Sequence, residues 1–176
     1  MNKRTILTAV MAVAVAVSTV YAYGGGGFFH GSLVPYDELT SHGVVAETRG
    51  GFGYGVNRCG VRHGGFGIVV RDEAGDTLLG AFGGIITGRQ IRMRPFTMSA
   101  NLWTGIGFVG APVAGPRSGF GYFAEATAEA GVALLPWMQV ALYGGMQAMG
   151  SLDPVSIVES TMYSPVAGMR FVFGRF

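Results

Sequence analysis

Apolar residues recur at every second position along most of this chain. The clearest run spans 120–134, where aromatic, alanine and aliphatic residues hold one parity and Glu125, Thr127 and Glu129 hold the other. Shorter runs of the same kind cover 51–56, 65–70, 105–108, 138–143 and 168–174. Because the side chains of a β-strand point alternately to the two faces of a sheet, the pattern predicts strands with one apolar face and one small or polar face.

Turn-forming residues separate these runs and set the predicted strand boundaries. Gly, Pro, Asp and Asn cluster at 57–60, 73–76, 88–95, 111–119, 135–136 and 150–165. The prediction is eight strands, at 24–31, 44–56, 61–71, 77–87, 95–109, 119–134, 137–148 and 165–176. Most are longer than the roughly 5 to 6 residues of globular strands and reach the roughly 9 to 11 residues that cross a membrane.

The predicted connections alternate in length. Long links fall at 32–43, 110–118 and 149–164, and short links fall at 57–60, 88–94 and 135–136. The short loop at 73–76 departs from this alternation. Long loops at one rim and tight turns at the other, with both termini at the tight-turn rim, are typical of outer-membrane barrels.

The first 22 residues have the features of a cleavable secretory signal. Lys3 and Arg4 form a positive start, an uncharged apolar run follows to Val17, and small residues precede a cleavage point after Ala22. The run is short for the about 30 Å of a bilayer core. We therefore expect an exported chain with a signal at 1–22 and a single domain at 23–176.

Composition changes once this signal is set aside. Lys3 is the sole lysine, so residues 23–176 carry ten arginines and ten carboxylates, with a formal charge near zero. This balance removes the basic excess expected of a nucleic-acid-binding protein. All 31 glycines follow Ala22, yet aromatic and aliphatic residues are spread throughout, which argues against disorder.

The carboxyl-terminal segment adds a resemblance to a known class. Met169 to Phe176 alternate and end on an aromatic residue, with Phe171 and Phe173 in one phase and Phe176 out of it. This segment resembles the final strand that bacterial outer-membrane proteins present to their insertion machinery. With the signal and the alternation, the chain resembles small eight-stranded outer-membrane barrels. The resemblance implies an all-β, up-and-down antiparallel transmembrane barrel in contact with outer-membrane lipid, with Phe171, Phe173 and Phe176 as the insertion signal.

Five charged residues lie opposite the apolar parity of their strands. If the apolar faces meet lipid, Glu47, Arg49, Glu125, Glu129 and Arg170 point into the barrel. An eight-stranded barrel is just wide enough for side chains to fill it, and buried charges must pair. We expect a plugged, ion-paired lumen, with a narrow conducting path as the alternative.

The sequence gives little support for a metal site, a phosphate-binding loop or a catalytic site. Cys59, His63, His30 and His42 lack the spacing of a zinc site, and the glycine-rich segments lack the form of a phosphate-binding loop. Neither a catalytic triad nor a pair of catalytic carboxylates stands out. We therefore expect no enzyme, metal or cofactor.

The expected role is structural or interactive at the cell surface, through the loops at 32–43, 110–118 and 149–164. Three alternatives stay open: a secreted glycine-rich protein that stacks into sheets, a periplasmic barrel that binds an apolar ligand, and an inner-membrane helical hairpin. The last rests on two uncharged windows, 95–116 and 130–152, each long enough for a helical span.

Overall fold

The alternating segments form eight antiparallel strands. The computed structural model describes residues 23–33, 46–72, 78–111, 117–152 and 161–175. The strands are β1 Tyr23–Leu33, β2 Ala46–Val56, β3 Val61–Asp72, β4 Leu78–Met93, β5 Phe96–Ala111, β6 Arg117–Leu135, β7 Met138–Ser151 and β8 Met162–Arg175. The described parts of both uncharged windows are therefore strands, and the described residues include no helix long and apolar enough to cross a membrane.

Each strand pairs with its neighbour in the sequence, and β8 pairs with β1 to close the sheet. The prediction of an all-β, up-and-down barrel of eight strands is confirmed. Following the pairing once around the barrel from Tyr23 leads back to β1 at Leu33, ten residues further along. The path passes through Val56, Arg62, Gly88, Asn101, Thr127, Gly145 and Val166. Such a stagger corresponds to strands tilted by about 40° from the barrel axis.

Three short turns lie at one end of the barrel, which we call the tight-turn rim. They connect β2 to β3 at 57–60, β4 to β5 at 94–95 and β6 to β7 at 136–137, and Tyr23 and Arg175 lie at the same end. The prediction of a link at 88–94 is wrong, because β4 continues to Met93. β3 ends and β4 begins at the opposite end of the barrel, which we call the loop rim, and only five residues separate these two strands.

The β2–β3 turn shows how the sequence fixes a reversal. The Asn57 side-chain Oδ1 accepts hydrogen bonds from the backbone N–H groups of Cys59 and Val61, both at 2.9 Å. Gly60 has a φ of 79°, a left-handed conformation that glycine adopts without steric cost. Its N–H donates to the Asn57 carbonyl at 3.0 Å, so asparagine and glycine together close the turn.

Inside the barrel, glycines make room for aromatic rings. A Cβ added at Gly105 would lie 3.0 Å from the Phe66 ring, and one added at Gly64 would lie 2.8 Å from the Tyr54 Cβ. Phe52, Tyr54 and Phe66 are all buried. The apolar parities of β2 and β3 therefore face the interior, although the sequence pattern placed the β2 parity toward lipid.

The outer wall carries large apolar side chains on β4 to β8. Nineteen large hydrophobic residues are exposed in the described part of the chain, and none of them lies on β2 or β3. The outward positions of those two strands include Gly51, Gly53, Gly65 and Gly67. The outer surface therefore carries large apolar side chains on β4 to β8, whereas it is rich in glycine on β2 and β3.

The two glycine environments predict opposite responses to the same substitution. Gly105→Ala places a methyl group against the Gly83 carbonyl oxygen at 2.6 Å and against the Phe66 ring, so we expect a lower free energy of unfolding. Gly67→Ala meets nothing within 4 Å and should be neutral or stabilising by about 0.5–1 kcal/mol. Urea unfolding of the purified protein measures both, and equal losses would contradict the inward placement of Gly105.

Candidate functional site in the barrel interior

Four charged side chains meet inside the half of the barrel nearer the tight-turn rim. Glu129 of β6 accepts from Arg62 of β3 at 3.3 Å through Oε1 and from Arg170 of β8 at 2.5 Å through Oε2. Arg170 also reaches Glu125 at 3.2 Å. These side chains are 1–4% exposed, so the two positive and two negative charges are buried as a balanced group, which we call the lumen network.

Neutral polar groups and aromatic rings complete the surroundings of the two arginines. Arg62 Nη1 donates to Ser99 Oγ and Asn101 Oδ1, both at 3.0 Å, and its guanidinium lies 3.4 Å from the Tyr54 ring centroid. The Arg170 guanidinium lies 4.0 Å from the ring centroid of Tyr143. Guanidinium groups are planar and weakly hydrated, so they stack on rings in this way and tolerate burial better than lysine does.

An aromatic cluster fills the interior beside the lumen network. Trp103 lies 5.6 Å from Phe29, 5.8 Å from Phe52 and 5.0 Å from Phe66 between ring centroids. Phe123 continues the cluster, 5.5 Å from both Phe66 and Phe82. Because these rings come from β1 to β6, they cross the bore of the barrel from wall to wall.

The structure brings together three of the five residues proposed from sequence for the lumen. Glu125, Glu129 and Arg170 lie inside, and both carboxylates contact Arg170. Glu47 and Arg49 do not join them, and their assignment to the lumen was wrong. They pair with each other at 2.7 Å on the outer surface near the loop rim, and Glu47 also lies 3.4 Å from His30. The physical reason is the parity of β2, which turns its aromatic side chains inward.

The residues proposed as an insertion signal lie partly within the described chain. Phe171 and Phe173 are on the outer wall, where Phe171 stacks on Phe28 with centroids 5.3 Å apart. Trp137 stacks on Phe173 at 6.3 Å. Phe176 and the segment 1–22 lie outside the described residues.

Sequence reasoning missed Arg62 and its partners on β5. Arg62 has the same parity as Phe66, Ile68 and Val70, a set that the pattern assigned to the outer face. Arg62 itself could have indicated that this parity faces inward, because a charge within an otherwise apolar set of side chains needs a buried partner. Ser99 and Asn101 share the parity of Trp103 and gave no comparable signal.

Both carboxylates of the lumen network accept from arginines, which engages them in ion pairs between strands. In the described ranges no three His, Cys, Asp or Glu side chains are grouped as metal ligands. Cys59 is exposed in the β2–β3 turn, and His42 falls outside the described residues. The arrangement is suited to holding strands together.

Comparison with known proteins does not assign the chain to a family. No model of a known protein family matches the chain, and a search of curated proteins finds no significant match.

The lumen network predicts a large difference between two Glu→Ala substitutions. Glu129→Ala leaves two buried guanidinium groups with one carboxylate, which should lower the free energy of unfolding by about 3–5 kcal/mol. Glu47→Ala removes the exposed pair with Arg49 and should cost only about 0–1 kcal/mol. Urea unfolding followed by tryptophan fluorescence compares the two, and similar losses would mean that the network does not hold the barrel together.

Proposed function

We propose that this protein is an outer-membrane barrel with a structural or surface-interaction role and no catalytic activity. The proposal combines three properties of the described residues: a closed wall, a filled interior and an apolar exterior. Export through a signal at 1–22 and delivery by the outer-membrane insertion machinery are part of the same proposal.

The observation that carries the proposal is the exposure of large apolar side chains around most of the wall. Ile85, Leu102, Ile106, Leu142 and Met146 all project outward from the middle portions of their strands. A water-soluble protein rarely exposes one apolar surface of this extent. Lipid is the solvent in which such a wall is stable, and a closed barrel is the form of sheet that leaves no unpaired backbone group there.

Aromatic side chains near both rims also support a membrane environment for the barrel. Membrane barrels carry aromatic residues at the two interfaces, with an apolar band between them. Near the loop rim the outward aromatic residues are Phe108, Phe120, Tyr122 and Tyr163, and near the tight-turn rim they are Phe96, Trp137 and Phe173.

The filled interior favours a structural role over transport or ligand storage. Trp103, Phe66 and Phe123 occupy the bore, and the lumen network occupies the part nearer the tight-turn rim. An eight-stranded barrel has little space beyond what such side chains take. These side chains therefore favour a structural barrel that interacts through its rims over a barrel that conducts ions or stores an apolar ligand.

The surface role is assigned to the connections at the loop rim. The predicted loops at 32–43, 110–118 and 149–164 lie mostly outside the described residues, and strands occupy their margins. Tyr122 of β6 and Thr161 form a hydrogen bond beside β8 at this rim. Outer-membrane barrels direct their longer connections to the cell exterior, which makes this rim the one that would meet a partner.

Cell fractionation tests the proposal against its alternatives. We expect the protein in the outer-membrane fraction, extracted by detergent as a monomer whose electrophoretic mobility changes on heating. A detergent-insoluble polymer would support the stacked-sheet alternative, although a closed sheet offers no free edge for stacking. A freely soluble periplasmic protein would support the ligand-binding barrel and overturn the membrane assignment.

Two Leu→Arg substitutions distinguish a lipid-facing wall from a water-facing one. Leu102 is 45% exposed near the middle of β5, and Leu134 is 55% exposed at the tight-turn end of β6. In lipid, arginine costs about 2–4 kcal/mol at mid-depth and about 0–1 kcal/mol near an interface. We expect Leu102→Arg to lower the folded yield in outer membranes strongly and Leu134→Arg to lower it little. Equal yields would contradict a lipid-facing wall.

A further inference from the structure

In the part of the chain that the structure describes, the tight-turn rim carries arginines and no carboxylate. Five arginines lie at or near this rim: Arg58, Arg89, Arg92, Arg94 and Arg175. The four carboxylates in the described part of the chain lie elsewhere, with Glu47 and Asp72 near the loop rim and Glu125 and Glu129 in the lumen network. Glu47 pairs with His30 and Arg49, and Glu125 and Glu129 pair with Arg62 and Arg170, so none of these three carboxylates pairs with a rim arginine. Among the described residues, the tight-turn rim is therefore positively charged.

Two of these arginines border a depression between the β4–β5 and β6–β7 turns. Arg92 and Arg94 line it together with Thr97, Leu134 and Leu135, and its volume is about 470 Å³. Arg94 is exposed, and the Arg92 guanidinium lies 5.4 Å from the Tyr23 ring centroid. Guanidinium groups bind phosphate oxygens through paired N–H donors, so this site combines a phosphate-binding edge with an apolar wall.

An apolar groove continues from this depression along the outer wall. Leu134 lines the depression, Val132 lines a second cavity of about 650 Å³, and Ala128 lines a third of about 700 Å³. Ala130 lines both of the last two, so successive outward residues of β6 border the groove. Met98 of β5 and Leu142 of β7 stand on its two sides. Small residues between larger ones create a channel for a narrow apolar molecule.

The length of this groove matches one leaflet of a membrane. From Leu134 to Ala128 are six residue steps, or about 20 Å along the strand. A tilt of about 40° reduces this distance to about 15 Å along the barrel axis. One leaflet of a hydrocarbon core about 30 Å thick has the same depth.

We propose that this rim and groove bind one anionic phospholipid from the leaflet at the tight-turn rim. Its phosphate contacts Arg92 and Arg94, and one acyl chain lies along Ala128 and Ala130. The inference rests on the proposed membrane location. It goes beyond general lipid contact because it assigns a leaflet, a headgroup charge and a groove. Among the described residues, no carboxylate compensates the rim arginines, and this positive charge favours an anionic headgroup over a zwitterionic one.

Native mass spectrometry of the detergent-folded barrel tests this site. The probe is phosphatidylglycerol, titrated in parallel with phosphatidylcholine of the same acyl chains. We expect one phosphatidylglycerol to bind preferentially. Since each surface arginine contributes about fivefold to binding of anionic lipid, R92Q/R94Q should weaken it about twenty-five-fold. R94Q alone, which keeps the contact between Arg92 and Tyr23, should weaken it about fivefold.

Two controls separate the parts of the proposal. Arg71→Gln makes the same charge change at an exposed position near the loop rim and should leave lipid binding unchanged. Ala130→Leu fills the groove without altering the rim charge and should also lower phosphatidylglycerol occupancy. Each variant is first checked for the heat-dependent mobility of the folded barrel, so that loss of folding is not read as loss of binding.

The outcomes distinguish this proposal from the membrane assignment. Equal binding of the two lipids, or unchanged binding in R94Q and A130L, would overturn the lipid site while a detergent-extracted barrel still supports the proposed function. Displacement of the lipid by inorganic phosphate at equal concentration would show a simple phosphate site and would also overturn it. A protein that never enters membranes would remove both proposals together.

Discussion

Closure of the sheet limits the space inside the barrel, and every inward side chain has to share that space. With eight strands and a stagger of ten residues, the bore is only as wide as a few side chains. Large rings from one strand therefore require small residues on the strands around them, as at Gly105 of β5 beside the Phe66 ring of β3. The glycines of the inner face follow from this requirement, as at Gly50 beside the Phe29 ring and Gly31 beside the Tyr143 hydroxyl.

The lumen network is a second consequence of the same restricted space. No charge inside the bore can reach bulk water, so each must find its counter-charge on a facing strand. Glu129 is central because it contacts Arg62 of β3 and Arg170 of β8, two strands that are not neighbours. The network therefore joins opposite parts of the wall across the bore, which backbone hydrogen bonds between adjacent strands do not do.

The sequence predicts the strands well and their faces less well. Period-two alternation and turn residues are local properties, so they give eight strands and most boundaries. β4 was cut short because Arg89 to Arg94 look like a loop, although Gln90 still faces the interior. On β6 and β8 the charged residues Glu125, Glu129 and Arg170 lie opposite the apolar parity, and this correctly places them inside the barrel. For β2 one parity carries the aromatic residues and the other carries glycines together with Glu47 and Arg49. The charges on the second set indicated the wrong face, because Glu47 and Arg49 pair with each other on the outer surface near the loop rim.

The exterior of the barrel is shaped by this interior packing. On β2 and β3 the rings turn inward, and what remains outside is glycine at positions such as Gly53 and Gly67, where a side chain would have open space. On β5 to β7 the inward positions include polar residues such as Asn101, Glu129 and Gln139, and the aliphatic side chains stand outside. Ridges and grooves in the wall can form only on this second side. Because Ala128 and Ala130 alternate with the inward Glu129, the segment of β6 that carries the lumen network also forms the floor of the outer groove.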